Sequence, residues 1–242
     1  MGSRLTIIDR PSPNASSRLD DGVEAPIDHL ILHYTGMKSG AAALDRLTDA
    51  EAKVSAHYMV EEDGQVFRLV DEAERAWHAG VAYWRGSKQI NRRSIGIEIV
   101  NPGHEHGYRP FPDQQIDAVI ALCKGILDHH PIPARNVLGH SDVAPWRKED
   151  PGELFPWAKL AEHGVGVWPN EPGTQLTPDA AEATLIDIGY LIDERSDLAT
   201  TVTAFQRRYR PSLLNGHLDD ETCKLISAVA AMLDIDGASN PR

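Results

Sequence analysis

The chain has 242 residues and a formal net charge of −12, with 41% hydrophobic and 25% charged residues. That length fits one large domain, or a medium domain plus a small one, and can bury a sizeable core. The acidic balance argues against a general nucleic-acid binder, whose phosphates it would repel. No segment is long and apolar enough to span a membrane.

The cysteines, Cys123 and Cys223, lie far apart and without a CxxC or Cys-His neighbour, which gives no disulfide framework and no redox motif. The opening MGSRLTIIDRPSPN lacks the apolar run of a signal peptide. The numbered chain therefore reads as cytoplasmic, with the periplasm or cell envelope as the alternative if an export signal was removed.

Taken in order, residues 5–8 predict a short strand followed by an extended polar arm. Residues 27–34, IDHLILHY, form a compact apolar run that fits a buried strand, with His33 at its end. His29 stands at an even offset from His33 and so shares its face of that strand, which keeps it open as a second candidate. Residues 41–47 have helical character. Residues 55–60 and 66–70 read as two strands of a hairpin around Asp63-Gly64, and His57 within it is expected to be a packed or hydrogen-bonded histidine. The loop holding Trp77, His78, Tyr83, Trp84 and Arg85 either stacks on a ligand or caps a core.

Residues 91–100, NRRSIGIEIV, end in an alternating strand. Ile95, Ile97 and Ile99 take one face, and Gly96, Glu98 and Val100 the other. Glu98 is a lone carboxylate in an apolar strand. It is either solvent-facing on an edge strand or a general base beside an activated water. Residues 113–129 form a clear amphipathic helix, with His129 and His130 at its C-terminal end, where positive charge is favourable.

The central stretch is residues 137–153, VLGHSDVAPWRKEDPGE. Pro145 and Pro151 make one continuous helix unfavourable. A strand ending near His140 and then an ordered surface loop would bring His140, Lys148 and Asp150 toward one spot. Imidazole and carboxylate are zinc ligands, and a catalytic zinc takes three protein ligands plus water. The third ligand must come from elsewhere, and His33 is the best candidate. Residues 157–163 close this region with a short helix.

Strands alternate with helices throughout, which predicts an α/β domain with a central mixed β-sheet flanked by helices. Its bounds are 1–166, followed by a Gly/Pro-rich linker, 167–177. Residues 178–242 then carry three helical segments, at 178–190, 198–209 and 219–233, with Thr177 and Asp219 as N-caps. They predict a small three-helix bundle without a His, Cys and carboxylate cluster, a module that binds rather than catalyses.

Residues 27 to about 170 resemble the zinc-dependent N-acetylmuramoyl-L-alanine amidases of the amidase-2 family. The segments LILHYT, SAHYMV, RAWHAGVAYWRG, SIGIEIVN, GHSDVAPWRKEDPG and FPW carry the resemblance, in the family's order. It implies His33, His140 and Asp150 as ligands of Zn2+, Glu98 as catalytic acid/base and Lys148 as a transition-state stabiliser. Gln89 departs from relatives that have Arg near this point, which bears on stem-peptide preference. Residues 178–242 resemble a three-helix peptidoglycan-binding domain through 188–190, AFQRRYRP, Gly216 and LDDETCKLI. The expected partners are peptidoglycan or muropeptide fragments. The rival reading is a non-catalytic peptidoglycan-recognition protein of the same fold; a zinc peptidase is a third.

Overall fold

The computed structural model describes residues 5–20 and 22–238. Residues 1–4, 21 and 239–242, at or near the ends of the first and last expected domains, lie outside the described residues. The chain divides into two compact units, Met1–Gly80 with Gln89–Ile132, and Val81–Lys88 with Pro133–Arg242.

The first unit begins with four short strands: β1 (Ile7–Asp9), β2 (Ala15–Ser17), β3 (Leu19–Asp20) and β4 (Val23–Glu24). Then come β5 (His29–Tyr34), α1 (Gly40–Thr48), β6 (Tyr58–Val60), β7 (Val66–Arg68) and β8 (Glu74–Ala76). It continues through α2 (Ile90–Arg93), β9 (Ser94–Ile99), α3 (Gly103–His106) and α4 (Asp113–His129). The second unit holds β10 (Val137–Gly139), α5 (His140–Val143), α6 (Trp157–Glu162), α7 (Pro178–Ile188), α8 (Leu198–Tyr209) and α9 (Asp220–Ala238).

Among the described residues of the first unit, the main sheet runs in the order β1-β7-β6-β9-β5. β5 and β6 each pair parallel with β9, whereas β6 and β7 are antiparallel. The sheet is therefore mixed, as the sequence predicts. Buried on both sides, β5 reads as a continuous apolar run rather than an alternating one. Ser39 caps α1 by accepting from Ala42 N–H. The helix's Ala43, Leu44 and Leu47 pack with Met59, Leu69 and Val100. Met59 is in register with Glu98, so α1 covers the Glu98 face of the sheet. On α4, Gln115 donates from its buried amide to Val60 O and Val100 O, which ties the helix to two strand ends.

The polar arm expected after residue 8 is instead built from short ladders. β2 pairs antiparallel with β8, and β3 with β4. Arg18, at the arm's centre, is fully buried and donates to the carbonyls of Glu72, Arg92 and Ser94. Those oxygens satisfy a guanidinium that a free arm would leave in water.

In the second unit α7 packs on α9. Thr177 accepts from Ala180 N–H and Asp219 from Thr222 N–H, so both act as the expected caps. Among the described residues, no helix is long and apolar enough to cross a membrane.

Candidate functional site

β5 and β9 run side by side with His33 opposite Glu98. Paired positions on neighbouring strands point to the same face, so an imidazole and a carboxylate stand side by side at the strands' C-terminal ends. β9 lies between β6 and β5. Glu98 is thus on an interior strand, which removes the edge-strand reading, and it is half-buried. Open α/β sheets place ligands at these strand ends.

β10 ends at Gly139, and one helical turn, α5, starts at His140. The expected surface loop is therefore helical at its start, His140–Val143, and buried through Ala144. Asp142 explains why: its carboxylate accepts from Gly139 N–H at 2.8 Å, from Tyr190 Oη at 2.7 Å and from Arg208 Nη1 at 2.7 Å. The chain then turns through Pro145 and returns. Ser141 N–H donates to Asp150 O at 2.9 Å, and His140 Nδ1 lies 3.0 Å from Asp150 Oδ2. A Cβ added to Gly139 would lie 2.8 Å from Pro151 Cδ, so the return of the loop needs glycine there.

His33, His140 and Asp150 are all buried, and one ligand atom from each lies within 4.8 Å of the others. Two imidazoles and one carboxylate this close together could hold a single cation, and they are the donor types of a catalytic zinc site. They make a possible metal site. Lys148 is half-buried on the same loop, two residues before Asp150, and its N–H donates to Ala144 O.

His29 lies outside this cluster. It sits four residues earlier on β5, and its Nδ1 pairs with Asp28 at 2.6 Å. His57 is a core histidine: Gly96 N–H donates to its Nδ1, and burial, then the Arg18 guanidinium, lower its pKa to about 3. Trp84 caps a core, nearly buried and edge-on to Tyr190 at 5.0 Å. Arg85 donates to Asp187 O and Ile188 O at the end of α7.

Sequence reasoning assigned no role to four residues near these ligands. Arg147 Nη2 lies 3.3 Å from His140 Nε2. His78 Nδ1 lies 3.0 Å from His33 Nε2, and Ser94 Oγ lies 3.1 Å from His78 Nε2. Asp142 holds the turn that starts at His140. His78 sits in RAWHAGVAYWRG, Ser94 in SIGIEIVN, and Asp142 and Arg147 in GHSDVAPWRKEDPG, so each had a signal in a segment that carries the resemblance, although their contacts are not displayed by one sequence.

Residues 23–153 match the family described as N-acetylmuramoyl-L-alanine amidase, Amidase_2. N-acetylmuramoyl-L-alanine amidase AmiD of Escherichia coli is 37% identical over 226 residues, covering 83% of this chain and 81% of AmiD. The 1,6-anhydro-N-acetylmuramyl-L-alanine amidase AmpD of the same organism is 38% identical over 111 residues, 46% of this chain and 58% of AmpD. Among solved structures, E. coli AmiD in complex with the substrate anhydro-N-acetylmuramic acid-L-Ala-D-gamma-Glu-L-Lys superposes with a TM-score of 0.77 at 34% identity, covering 88% of this chain and 92% of that one. AmpDH3 from Pseudomonas aeruginosa gives 0.79 at 32% identity, covering 90% and 97%. With the site's geometry and these likenesses taken together, the chain belongs to the N-acetylmuramoyl-L-alanine amidase (Amidase_2) family.

Proposed function

We propose that this chain hydrolyses the amide between the lactyl carboxyl of N-acetylmuramic acid, or of its 1,6-anhydro form, and L-alanine of the stem peptide, with zinc held by His33, His140 and Asp150. The observation that carries this is the convergence of those three buried donors, with Glu98 in register beside His33. A zinc ion held there supplies Lewis acidity to a water nucleophile and to the amide carbonyl.

The chain's own groups do the rest. His33, His140 and Asp150, as two neutral imidazoles and one carboxylate, carry about one negative charge between them, so a divalent cation held there would keep about one positive charge. Glu98 takes the proton from the attacking water and delivers it to the departing L-alanine nitrogen. Lys148 shares the negative charge that develops on the carbonyl oxygen. Its ammonium group, on a flexible four-carbon stem, suits a group that follows a moving charge.

The test uses the full chain on anhydro-muramyl peptide and on intact sacculi, with mass spectrometry of products and metal analysis of the purified protein. The expected products are a free stem peptide with an L-alanine amino terminus and a muramic acid carboxylate. Glu98→Gln should keep the metal and lose turnover. Absence of both metal and cleavage would favour a peptidoglycan-recognition protein, and cleavage between amino acids would favour a peptidase.

We read residues 178–242 as a peptidoglycan-binding bundle of α7, α8 and α9, supported by the pattern of Gly189, Tyr190, AFQRRYRP and Gly216. The full-length Glu98→Gln protein should co-sediment with sacculi, and its staying in the supernatant would remove this reading.

A further inference from the structure

A run of hydrogen bonds leads from the backbone to His33. Ser94 Oγ donates to Ile90 O at 2.6 Å and lies 3.1 Å from His78 Nε2. A serine hydroxyl has one proton. With that proton given to Ile90, the oxygen faces His78 as an acceptor, so His78 Nε2 bears hydrogen. A neutral imidazole then has its lone pair on Nδ1, and that atom is 3.0 Å from His33 Nε2. His33 Nε2 is therefore the donor, and the lone pair of its neutral ring is on Nδ1.

We infer that His78 is a positioning residue: with Ser94 it holds His33 as the Nε2–H tautomer and turns Nδ1 toward the cation shared with His140 and Asp150. This rests on the reading of His33 as a ligand. A metal-binding histidine generally donates its second ring N–H to an acceptor, which fixes ring orientation and raises ligand basicity. Here that acceptor is a second imidazole.

The seat of His78 is built for this contact. Gly96 stands on β9 between Ser94 and Glu98, on the face they share. A Cβ there would lie 2.5 Å from His78 Cγ, closer than any real contact, so the ring rests directly on the strand. Asn91 Oδ1 accepts from the N–H groups of both His78 and Ala79, at 3.1 and 2.7 Å, which fixes the loop that brings the ring in. His33 and His78 stand at 82° with centroids 5.1 Å apart.

The experiment measures zinc affinity of the full chain by competition with a chromophoric chelator. It also reads the His33 tautomer in the metal-free protein from side-chain 15N–1H correlations. Wild type should show His33 protonated on Nε2. His78→Phe fills the same space without an acceptor, and should weaken zinc binding about 10- to 100-fold, the range seen when such supporting groups are lost, and abolish the single tautomer. His78→Asn, whose amide oxygen stands near the Nδ1 position, should recover most of the affinity. Gly96→Ala, which displaces the ring, and Ser94→Ala, which unties it, should lower affinity in a folded protein. They carry the test if His78→Phe does not fold. Wild-type affinity and tautomer in these variants, with zinc lost in His33→Ala, would overturn the positioning role and leave the ligand reading intact. Zinc retained in His33→Ala would overturn the ligand reading itself.

Discussion

Asp142 and Arg208 are joined at 2.7 Å with side chains only 1% and 3% exposed. Arg208 stacks over the Trp157 ring at 4.0 Å, while its Nε and Nη2 make no hydrogen bond among the described residues. Two unit charges about 4 Å apart attract by about 4 kcal/mol at an effective dielectric constant of about 20. Desolvating each ion costs several kcal/mol, so the intact pair adds little net stability, yet removing one partner costs about 3–5 kcal/mol. The two single variants should differ within that range. In Arg208→Met, Asp142 keeps the Gly139 N–H and Tyr190 Oη donors. Tyr190 stays protonated to donate, because burial and then Asp142 push its pKa well above the ordinary tyrosine value. In Asp142→Asn, the buried guanidinium loses its only carboxylate partner among the described residues.

Asp142→Asn should therefore cost more than Arg208→Met, and the double variant should lose clearly less than the sum. Urea unfolding measures all three, with stability read from midpoint and slope. Asp142 follows His140 by two residues on one helical turn, so Asp142→Asn should also weaken metal binding. Losses under about 1 kcal/mol that add within about 0.5 kcal/mol would refute the coupling, and would show that water screens the pair.

Lys148→Ala should lower kcat by on the order of 100-fold with KM little changed; a rise in KM alone would make Lys148 a binding residue. His140→Ala should lose the metal, as atomic absorption of the purified variant would record. His57, with its pKa lowered to about 3 by burial and then Arg18, stays neutral in the folded chain, whereas the unfolded chain takes up a proton below about pH 6.5. Its contribution is complete above that pH and is lost on acidification toward pH 3. Wild type should fall more steeply than His57→Gln across that window, by up to about 1.4 kcal/mol per pH unit. Equal slopes in urea titrations would exclude His57 as the cause.

What the sequence displayed, and what it hid, follows from the range of each interaction. β5 and β9 were legible because a six-residue strand shows its pattern locally, and the same pattern isolated Glu98 as a carboxylate in an apolar run. α4 was legible from its helical spacing over 17 residues. β2, β3 and β4 are two or three residues long, too short for any period, so they passed as a polar arm. α5 is a four-residue turn before Pro145, and its burial depends on Arg208, 66 positions away. Arg18 was hidden for the same reason: its acceptors are carbonyls 54 to 76 residues away, and a carbonyl leaves no mark in a sequence. The contacts of His78 with His33 and of Ser94 with His78, 45 and 16 positions apart, were hidden in the same way.

The two sides of the site are held by different physics, and that difference has a consequence for Glu98. His140 and Asp150 belong to a turn and loop closed by the Ser141–Asp150 backbone bond and the Asp142 carboxylate. Glu98 is locked in register on both sides, opposite His33 on β5 and Met59 on β6. A strand cannot move toward a substrate without breaking both ladders, because a one-residue slip reverses every side chain. Glu98→Asp therefore withdraws the carboxylate by one methylene, roughly 1.5 Å, with nothing to make up the distance. A misplacement of about 1 Å costs on the order of 100-fold in rate. Glu98→Asp should accordingly bind metal as wild type does and lose at least that factor in kcat, despite keeping its acid–base group. If Glu98→Asp keeps more than about a tenth of wild-type kcat, proton transfer does not depend on the position of this strand, and another group carries the proton.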